Sequence, residues 1–223
     1  MAATRPHPKA QSTTRLEAIS DGVFAVALTL LVLDIHVPDA DPSKLFGELV
    51  KLLPHVLAFA LSFLIVNFYW TAHQVLFNSI QRSDRYLLWF NALHLLFVVF
   101  LPFSTGLLAE FHHTPLAVDI YGLNIILCSA SSIMFWLYAA HSGLITDNLS
   151  RDEVRLVVWR LLINPLVCAV ALCVAFLNTT AAMLLYLVTP IWYVLTGPDA
   201  AAGDRGTWRL RWPLRRSRKP GSG

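Results

Sequence analysis

The chain has 223 residues, of which 56% are hydrophobic and only 14% are charged, and its formal net charge is +3. This composition excludes an ordinary soluble domain of this length, and apolar segments separated by short polar breaks indicate one membrane-embedded domain. The small positive charge fits loops that lie beside anionic lipid better than it fits nucleic-acid binding.

Six apolar segments are predicted to be membrane-spanning helices, because each approaches the ~20 residues needed to cross ~30 Å of hydrocarbon. Residues 1–14 precede them and are polar, so we predict a disordered cytoplasmic N-terminus. The helices are predicted at about 15–35, 49–72, 85–108, 116–140, 154–176 and 180–195. Residues 197–223 are rich in Gly, Pro and Arg and are predicted to be a basic cytoplasmic tail, which leaves 15–196 as the transmembrane domain.

The distribution of positive charge predicts that both termini are cytoplasmic, because cytoplasmic connections carry an excess of Lys and Arg. The cationic residues near the membrane on that side are Arg5, Lys9, Arg15, Arg82, Arg85, Arg151, Arg155, Arg160 and the seven of the tail. Only Lys44 and Lys51 fall on the other side. The same asymmetry at every connection predicts an even number of spans.

Charged and polar residues open the first helix. Asp21 lies nearly two turns inside it, where a charge is costly unless it is paired. Arg15 is six residues away, so a link between them needs relays from other helices. The candidate relays are His73, Asn91 and His94. This pattern favours a structural polar network over a direct ion site, since intramembrane polar groups usually pair with one another.

A stripe of uncharged residues follows on the same helix. Gly22, Val26, Thr29 and Leu33 recur at spacings of four, three and four, so they share one helical face. Periodicity alone favours an ordinary packing face, with Gly22 permitting close approach of another helix. Asp34 closes the helix beside an acidic outer loop, where it either concentrates cations or is simply solvated.

Three stretches together resemble motifs of one known family. They are Arg15-x-x-x-Ile19-Ser20-Asp21 with the apolar run 22–35, the segment 68–73 (F-Y-W-T-A-H) and the segment 101–108 (L-P-F-S-T-G-L-L). They resemble the transmembrane-protein-175 family of potassium channels, whose first-helix signature is R-x-x-x-F-S-D. The resemblance covers roughly residues 15–195. Ile19 stands where the family usually has phenylalanine, which alters packing more than chemistry.

The resemblance implies an all-α membrane protein with six transmembrane helices per subunit, assembled as a homotetramer whose first helices line a central pore. The residues implied at the pore and gate are Val26, Thr29, Leu30 and Leu33. The residues implied in the polar network are Arg15, Ser20, Asp21, Trp70, His73 and Asn91. We therefore expect a multi-pass potassium channel of the cell membrane and not an enzyme. Its expected partners are potassium ions, membrane lipids and other copies of the chain; no cofactor and no nucleic acid are expected.

Selectivity in such a pore has to come from side chains. The sequence contains no T-V-G-Y-G-like filter loop, whose free carbonyls would replace the hydration shell of an ion. Helix carbonyls cannot substitute for them, because they are bonded within the helix. We therefore expect an apolar gate at Val26 and Leu33 that closes by dewetting. Thr29 is expected to offer one oxygen per subunit for transient potassium coordination.

Other functions remain open from the sequence. Haem ligation by His73 and His94 is disfavoured, because His73 is predicted at the end of its helix and His94 in the middle of its own. A proton-coupled transporter would also retain buried carboxylates and histidines, although no internal repeat is visible. A scaffold without transport activity is the third alternative. The three cysteines lie in apolar stretches without C-x-x-C spacing and are interpreted as packing residues.

Overall fold

The fold, taken from a computed structural model, is built from helices. It describes residues 13–146 and 149–196, without the side chains of 189 and 193–196. The helices are α1 (Thr13–Leu30), α2 (Leu45–Lys51), α3 (Leu53–Asn78), α4 (Arg85–Glu110), α5 (Pro115–His141), α6 (Arg151–Ala175) and α7 (Thr179–Thr196). A 3₁₀ turn, Leu31–Asp34, extends α1. An isolated β-bridge pairs Ile80 with Ile145, and the elements of the described ranges are all helical. The predicted all-α fold is confirmed.

Local sequence signals explain where the helices begin. The Asp84 side chain caps α4 by accepting from the Leu87 backbone N–H at 2.8 Å. Ser150 and Glu153 form a reciprocal capping box at the start of α6. Pro115 opens α5, where its missing N–H and fixed φ suit the first turn. Each signal satisfies or removes a backbone donor that the helix itself leaves unpaired.

Several predicted helix boundaries differ from those of the structure, most of all in the second predicted helix. Thr13 and Thr14 belong to α1 rather than to the N-terminal segment, and the end of that helix tightens into the 3₁₀ turn. The second predicted helix, 49–72, is instead the short α2 followed by α3, which runs on to Asn78. Pro54 explains the break, because proline fits the first turn of α3 but would disrupt a continuous helix. The remaining N-terminal residues and the predicted tail lie outside the described residues.

Five of the described helices are long and apolar enough to cross a membrane: α1 with its 3₁₀ turn, α3, α4, α5 and α6. α7 is also apolar but is shorter, over Thr179–Trp192. Length and composition therefore support a multi-pass membrane protein.

Helix α5 lies between α4 and α6, α7 packs on α6, and α1 packs on α3 and α4. The large α5 side chains Tyr121 and Trp136 are fully buried. Buried polar groups also join the helices: the Tyr69 hydroxyl donates to the Ile125 carbonyl at 2.7 Å and accepts from the Asn164 amide at 2.8 Å. Such bonds between helices, together with close packing, stabilise bundles in lipid, where apolar burial provides little driving force.

Gly122 of α5 lies at a point of close approach by α7. The Tyr186 hydroxyl of α7 donates to the Val118 carbonyl at 3.0 Å and covers Gly122. A Cβ added at Gly122 would overlap this hydroxyl and would lie 2.9 Å from Tyr186 Cζ. The glycine therefore permits the contact between α5 and α7.

We expect Gly122→Ala to destabilise the purified protein by about 1–3 kcal/mol, because the overlap forces Tyr186 to move. Thermal unfolding in detergent measures this change. Tyr186→Phe in the same chain is expected to restore part of the loss, since it removes the atom that overlaps. Gly47→Ala is the matched control, because no described atom beyond its chain neighbours and the adjacent backbone of α2 lies within 4 Å of a Cβ added there. Equal melting temperatures for both alanine variants would contradict the prediction.

Candidate functional site

One face of α1 and its 3₁₀ turn is exposed on the surface of the chain. All four residues predicted at the pore and gate lie on this face: Val26, Thr29, Leu30 and Leu33. Val26 is 56% exposed and Leu33 is 64% exposed. The residues of α1 and its 3₁₀ turn that face the core of the chain are Phe24, Ala27 and Leu31. The stripe is therefore not part of the chain's own packed core, contrary to what periodicity alone favoured.

Gly22 lies on the same exposed face. Apart from its chain neighbours and the adjacent backbone of α1, no described atom is within 4 Å of a Cβ built on it, so the chain itself does not use the close approach that glycine permits. A shallow apolar groove runs beside it, lined by Ile19, Gly22, Val23, Val26 and Val99. This groove lies between α1 and α4 and is open on the surface of the chain.

The Thr29 hydroxyl is oriented by its own helix. It donates its proton to the Val26 carbonyl at 2.8 Å. A hydroxyl oxygen has two lone pairs in addition to that proton. Because the proton is held by the backbone and the side chain is exposed, the lone pairs are available to a cation approaching this face.

The 3₁₀ turn changes the register of the outer end of the stripe. A 3₁₀ helix has three residues per turn, so residues three apart lie directly above one another. Leu33 therefore stands over Leu30, whereas a continuous α-helix would have placed it nearer the line of Val26. Leu30 and Leu33 therefore both lie at the outer end of the exposed face. Sequence periodicity could not show this, because it assumed one helix type throughout.

Ser20, Asn91 and His73 form a buried chain of hydrogen bonds between α1, α4 and α3. Ser20 donates to the Leu16 carbonyl at 2.8 Å and accepts from the Asn91 amide at 3.0 Å. The Asn91 oxygen then faces His73 Nε2 at 2.9 Å. Because the Ser20 proton is donated to Leu16, the Ser20 oxygen accepts from the Asn91 N–H. The Asn91 side-chain oxygen can only accept, so His73 Nε2 must carry the proton of the last bond. The chain ties three helices together beneath the exposed face.

Asp21 is held separately by α3. The Trp70 indole N–H donates to its Oδ1 at 2.9 Å, and the Gln74 amide donates to the same oxygen at 2.5 Å. The sequence analysis missed Gln74. Its position four residues after Trp70 was a usable signal, because residues so spaced lie on one helical face. Asp21 is thus paired with two neutral donors.

Arg15 lies apart from these bonds. Its side chain is exposed at the start of α1, and within the described part of the chain it forms no hydrogen bond or ion pair. The structure therefore brings together five of the six residues predicted for the network, in two groups: Ser20, Asn91 and His73, and Asp21 with Trp70. Their role as a structural network stays a prediction.

His94 occupies a site of its own. Its Nδ1 lies 3.0 Å from the Ser131 hydroxyl and 3.2 Å from the Cys128 carbonyl. The rings of His73 and His94 are stacked with centroids 5.7 Å apart, so the difference in depth expected between them is wrong. The reason is that α3 continues past His73. Haem ligation still does not fit, because parallel rings in such proximity, packed around Phe24, leave no gap for a porphyrin.

The candidate site is a largely apolar surface. Nowhere in the described ranges do three or more His, Cys, Asp or Glu side chains come together as metal ligands. The exposed face of α1 offers methyl groups and one oriented hydroxyl oxygen. Such a surface can restrict water and can make a weak, transient contact with a cation.

Comparisons with known proteins point to one family. The family model described as endosomal/lysosomal potassium channel TMEM175 matches residues 15–102. A potassium channel of Chamaesiphon minutus is 32% identical over 195 residues, which cover 84% of this chain and 96% of that protein. A potassium channel of Streptomyces collinus is 36% identical over 138 residues, covering 60% of this chain and 67% of the relative.

A solved structure shares the fold as well as the sequence. It is the crystal structure of a lysosomal potassium-selective channel TMEM175 homolog from Chamaesiphon minutus, which superposes with a TM-score of 0.74. The alignment has 32% sequence identity and covers 82% of this chain and 96% of the other. The likeness extends over nearly the whole of the known channel.

Proposed function

This chain belongs to the TMEM175 family of potassium channels, and on that premise we propose that it is itself a potassium-permeable channel of the cell membrane. The family is one of channels and not of enzymes. The observation that carries the proposal is the 32% identity over 96% of a relative named a potassium channel, together with the same fold.

The proposed topology has six transmembrane helices, α1 and α3 to α7, with both termini in the cytoplasm. Cationic residues support it: Arg82 and Arg85 lie between α3 and α4, and Arg151 and Arg155 lie at the start of α6. These connections fall on one side of a six-span bundle, and that side is cytoplasmic by the positive-inside rule. α7 completes the even number of spans, and its 18 residues extend about 27 Å.

Four protomers are proposed to assemble with their α1 helices around a central pore. The exposed stripe of Val26, Thr29, Leu30 and Leu33 would then face the axis, and the apolar groove beside Gly22 would receive a neighbouring protomer. The hydrogen bonds of Ser20 and Asp21 to α3 and α4 support this arrangement, since they fix the rotation of α1 and hence which face it presents.

Ions are proposed to be selected and gated by side chains alone. Leu33 and Leu30 at the outer end, and Val26 one turn deeper, form apolar rings that exclude water when narrow. Thr29 lies between them and presents a hydroxyl oxygen whose proton is already donated to Val26. Potassium holds its hydration shell less tightly than sodium, so it loses less on entering such a constriction.

Thr29→Ala is expected to lower the preference for potassium over sodium, because each protomer loses its coordinating oxygen. Bi-ionic reversal potentials of single channels in planar bilayers measure this preference. Thr29→Ser is the matched control: it retains the hydroxyl and is expected to retain the preference. Identical reversal potentials for the alanine variant and the parent would remove Thr29 from the selectivity mechanism.

The proposal as a whole is tested by reconstituting the purified protein in liposomes with a potassium gradient. Potassium flux and unitary currents without a proton gradient are expected. A proton-coupled transporter would instead show flux that depends on proton movement and no unitary currents, and a scaffold would show neither. Native mass measurement in detergent is expected to give the mass of four chains, and any other stoichiometry would overturn the tetramer.

A further inference from the structure

Asp34 is the last residue of the 3₁₀ turn and directly follows Leu33, at the end of the exposed face of α1. Its half-buried side chain lies against α4 at Gly106. A Cβ added at Gly106 would lie 2.9 Å from Asp34 Oδ2 and 3.3 Å from Oδ1. Any residue larger than glycine at position 106 would therefore press on this carboxylate.

The carboxylate of Asp34 has no hydrogen-bond or ion-pair partner among the described residues. His36 is near but binds the backbone carbonyl of Asp34, at 3.1 Å from its Nδ1. An unpaired carboxylate keeps its full charge for ions in solution, whereas a paired one is largely neutralised.

Neighbouring charges at this end of the bundle are engaged, lie in an exposed loop or, as with Asp119, lie on α5, which does not contact α1 or its 3₁₀ turn. Glu110, one turn beyond Gly106 on α4, lies 3.5 Å from His55 Nε2. Lys51 is bonded to Glu48 at 2.7 Å. Asp39 is exposed in the connection before α2. Asp34 is thus the carboxylate that combines a fixed position, a free charge and direct continuity with the stripe.

We propose that Asp34 attracts potassium to the outer mouth of the pore and sets the rate at which ions enter it. The inference rests on the proposed function, because it places the end of the exposed α1 face at the permeation path. One carboxylate per protomer gives a ring of negative charge beside Leu33, the last apolar residue before the outer solution. A pore mouth that is lined by charges of one sign and has low-dielectric walls raises the local concentration of ions of the opposite sign.

Ionic strength separates this role from a structural one. The Debye length is about 30 Å in 10 mM salt and about 3 Å in 1 M salt, so the field of Asp34 reaches arriving ions only in dilute solution. We expect Asp34→Asn to reduce single-channel potassium conductance by up to about tenfold at low salt. At 1 M the conductance should match the parent. Current entering from the Asp34 side should fall more than current leaving there.

Two further variants test the placement of the charge. Asp39→Asn, the matched control in the exposed loop, should lower conductance less than Asp34→Asn at low salt, because Asp39 lies five residues further along the connection, and should match the parent at 1 M. Gly106→Ala should give an intermediate loss of conductance at low salt, because it displaces the carboxylate without removing it.

Asp34→Cys in a Cys173→Ser background allows the charge to be restored chemically. Cys173 is replaced because it is exposed, whereas Cys128 and Cys168 are buried. A sulfonate-bearing thiol reagent should raise conductance, and an ammonium-bearing one should lower it.

The outcomes distinguish this inference from the proposed function. If the parent conducts potassium and responds to changes at Leu33, but Asp34→Asn conducts normally at low salt, the inference about Asp34 is wrong and the pore stands. An equal loss at low and high salt would also overturn it, because that result indicates a structural effect. Absence of potassium currents in the parent would overturn the proposed function itself.

Discussion

Leu33→Ala is expected to increase the resting potassium flux of reconstituted channels several-fold and to lengthen their open times. In the proposed tetramer four Leu33 side chains meet above four Leu30 side chains, as the 3₁₀ register requires. A narrow apolar ring of this kind empties of water and so blocks ions without any charged barrier. Removing three carbons from each side chain widens the ring and lets water remain.

Leu184→Ala is the matched control for this change. Leu184 on α7 is 61% exposed and Leu33 is 64% exposed, so the two variants remove the same atoms from equally exposed positions. Only Leu33 is proposed to face an ion pathway, whereas Leu184 is proposed to face lipid. Potassium efflux from liposomes, normalised to the amount of tetramer, measures both. Equal flux for the two variants would show that the α1 face does not line the pore.

The five helices that are long enough to span could be predicted from the sequence, because a span needs a long apolar run and these runs are clear in this chain. The exceptions have local causes. Pro54 divides the second apolar segment, and the 3₁₀ turn at Leu31–Asp34 leaves no mark in the apolar pattern, since both helix types suit the same residues. The register of Leu33 therefore could not be predicted.

The candidate site was predictable in its residue types more than in its contacts. Asp21 in an apolar helix demanded a partner. Asn91 was a candidate relay because it is a polar residue of a neighbouring span, and Trp70 came from the family resemblance. In the structure Gln74 shares Asp21 with Trp70, and Arg15 forms no bond among the described residues. Both outcomes depend on how α1 is rotated against α3. Helix rotation is set by packing between distant segments, which periodicity within one segment does not record.

The function of the exposed α1 face is a different kind of problem. In a membrane protein a face that meets lipid and a face that lines an apolar pore have similar composition, so exposure of Val26 on one chain does not separate them. Thr29 adds a polar oxygen, but threonine also faces lipid when its hydroxyl bonds to the backbone, as it does here. Family membership supports the pore, and the flux measurements on Leu33 and Leu184 decide between the two.

The second large effect is expected at Asn91, the central member of the hydrogen-bond chain that joins α1, α4 and α3. Asn91→Leu removes both the donor to Ser20 and the acceptor for His73. The His73 N–H is then left buried without a partner, since His73 is only 3% exposed. We expect the stability of the helix bundle to fall by about 2 kcal/mol. An unsatisfied buried donor costs ~1–3 kcal/mol, and each hydrogen bond between membrane helices contributes ~0.6 kcal/mol.

Asn67→Leu provides the comparison for Asn91→Leu, because the Asn67 side chain donates to the Phe63 carbonyl of its own helix at 2.8 Å and to no other helix among the described residues. Thermal dissociation of the tetramer in detergent should occur at a clearly lower temperature for Asn91→Leu than for Asn67→Leu. Channels that do assemble from the Asn91 variant should keep the parent preference for potassium over sodium, since the chain lies behind the exposed face. A stable tetramer with altered selectivity would instead place Asn91 in the ion pathway, and the network could not then be a purely structural support for α1.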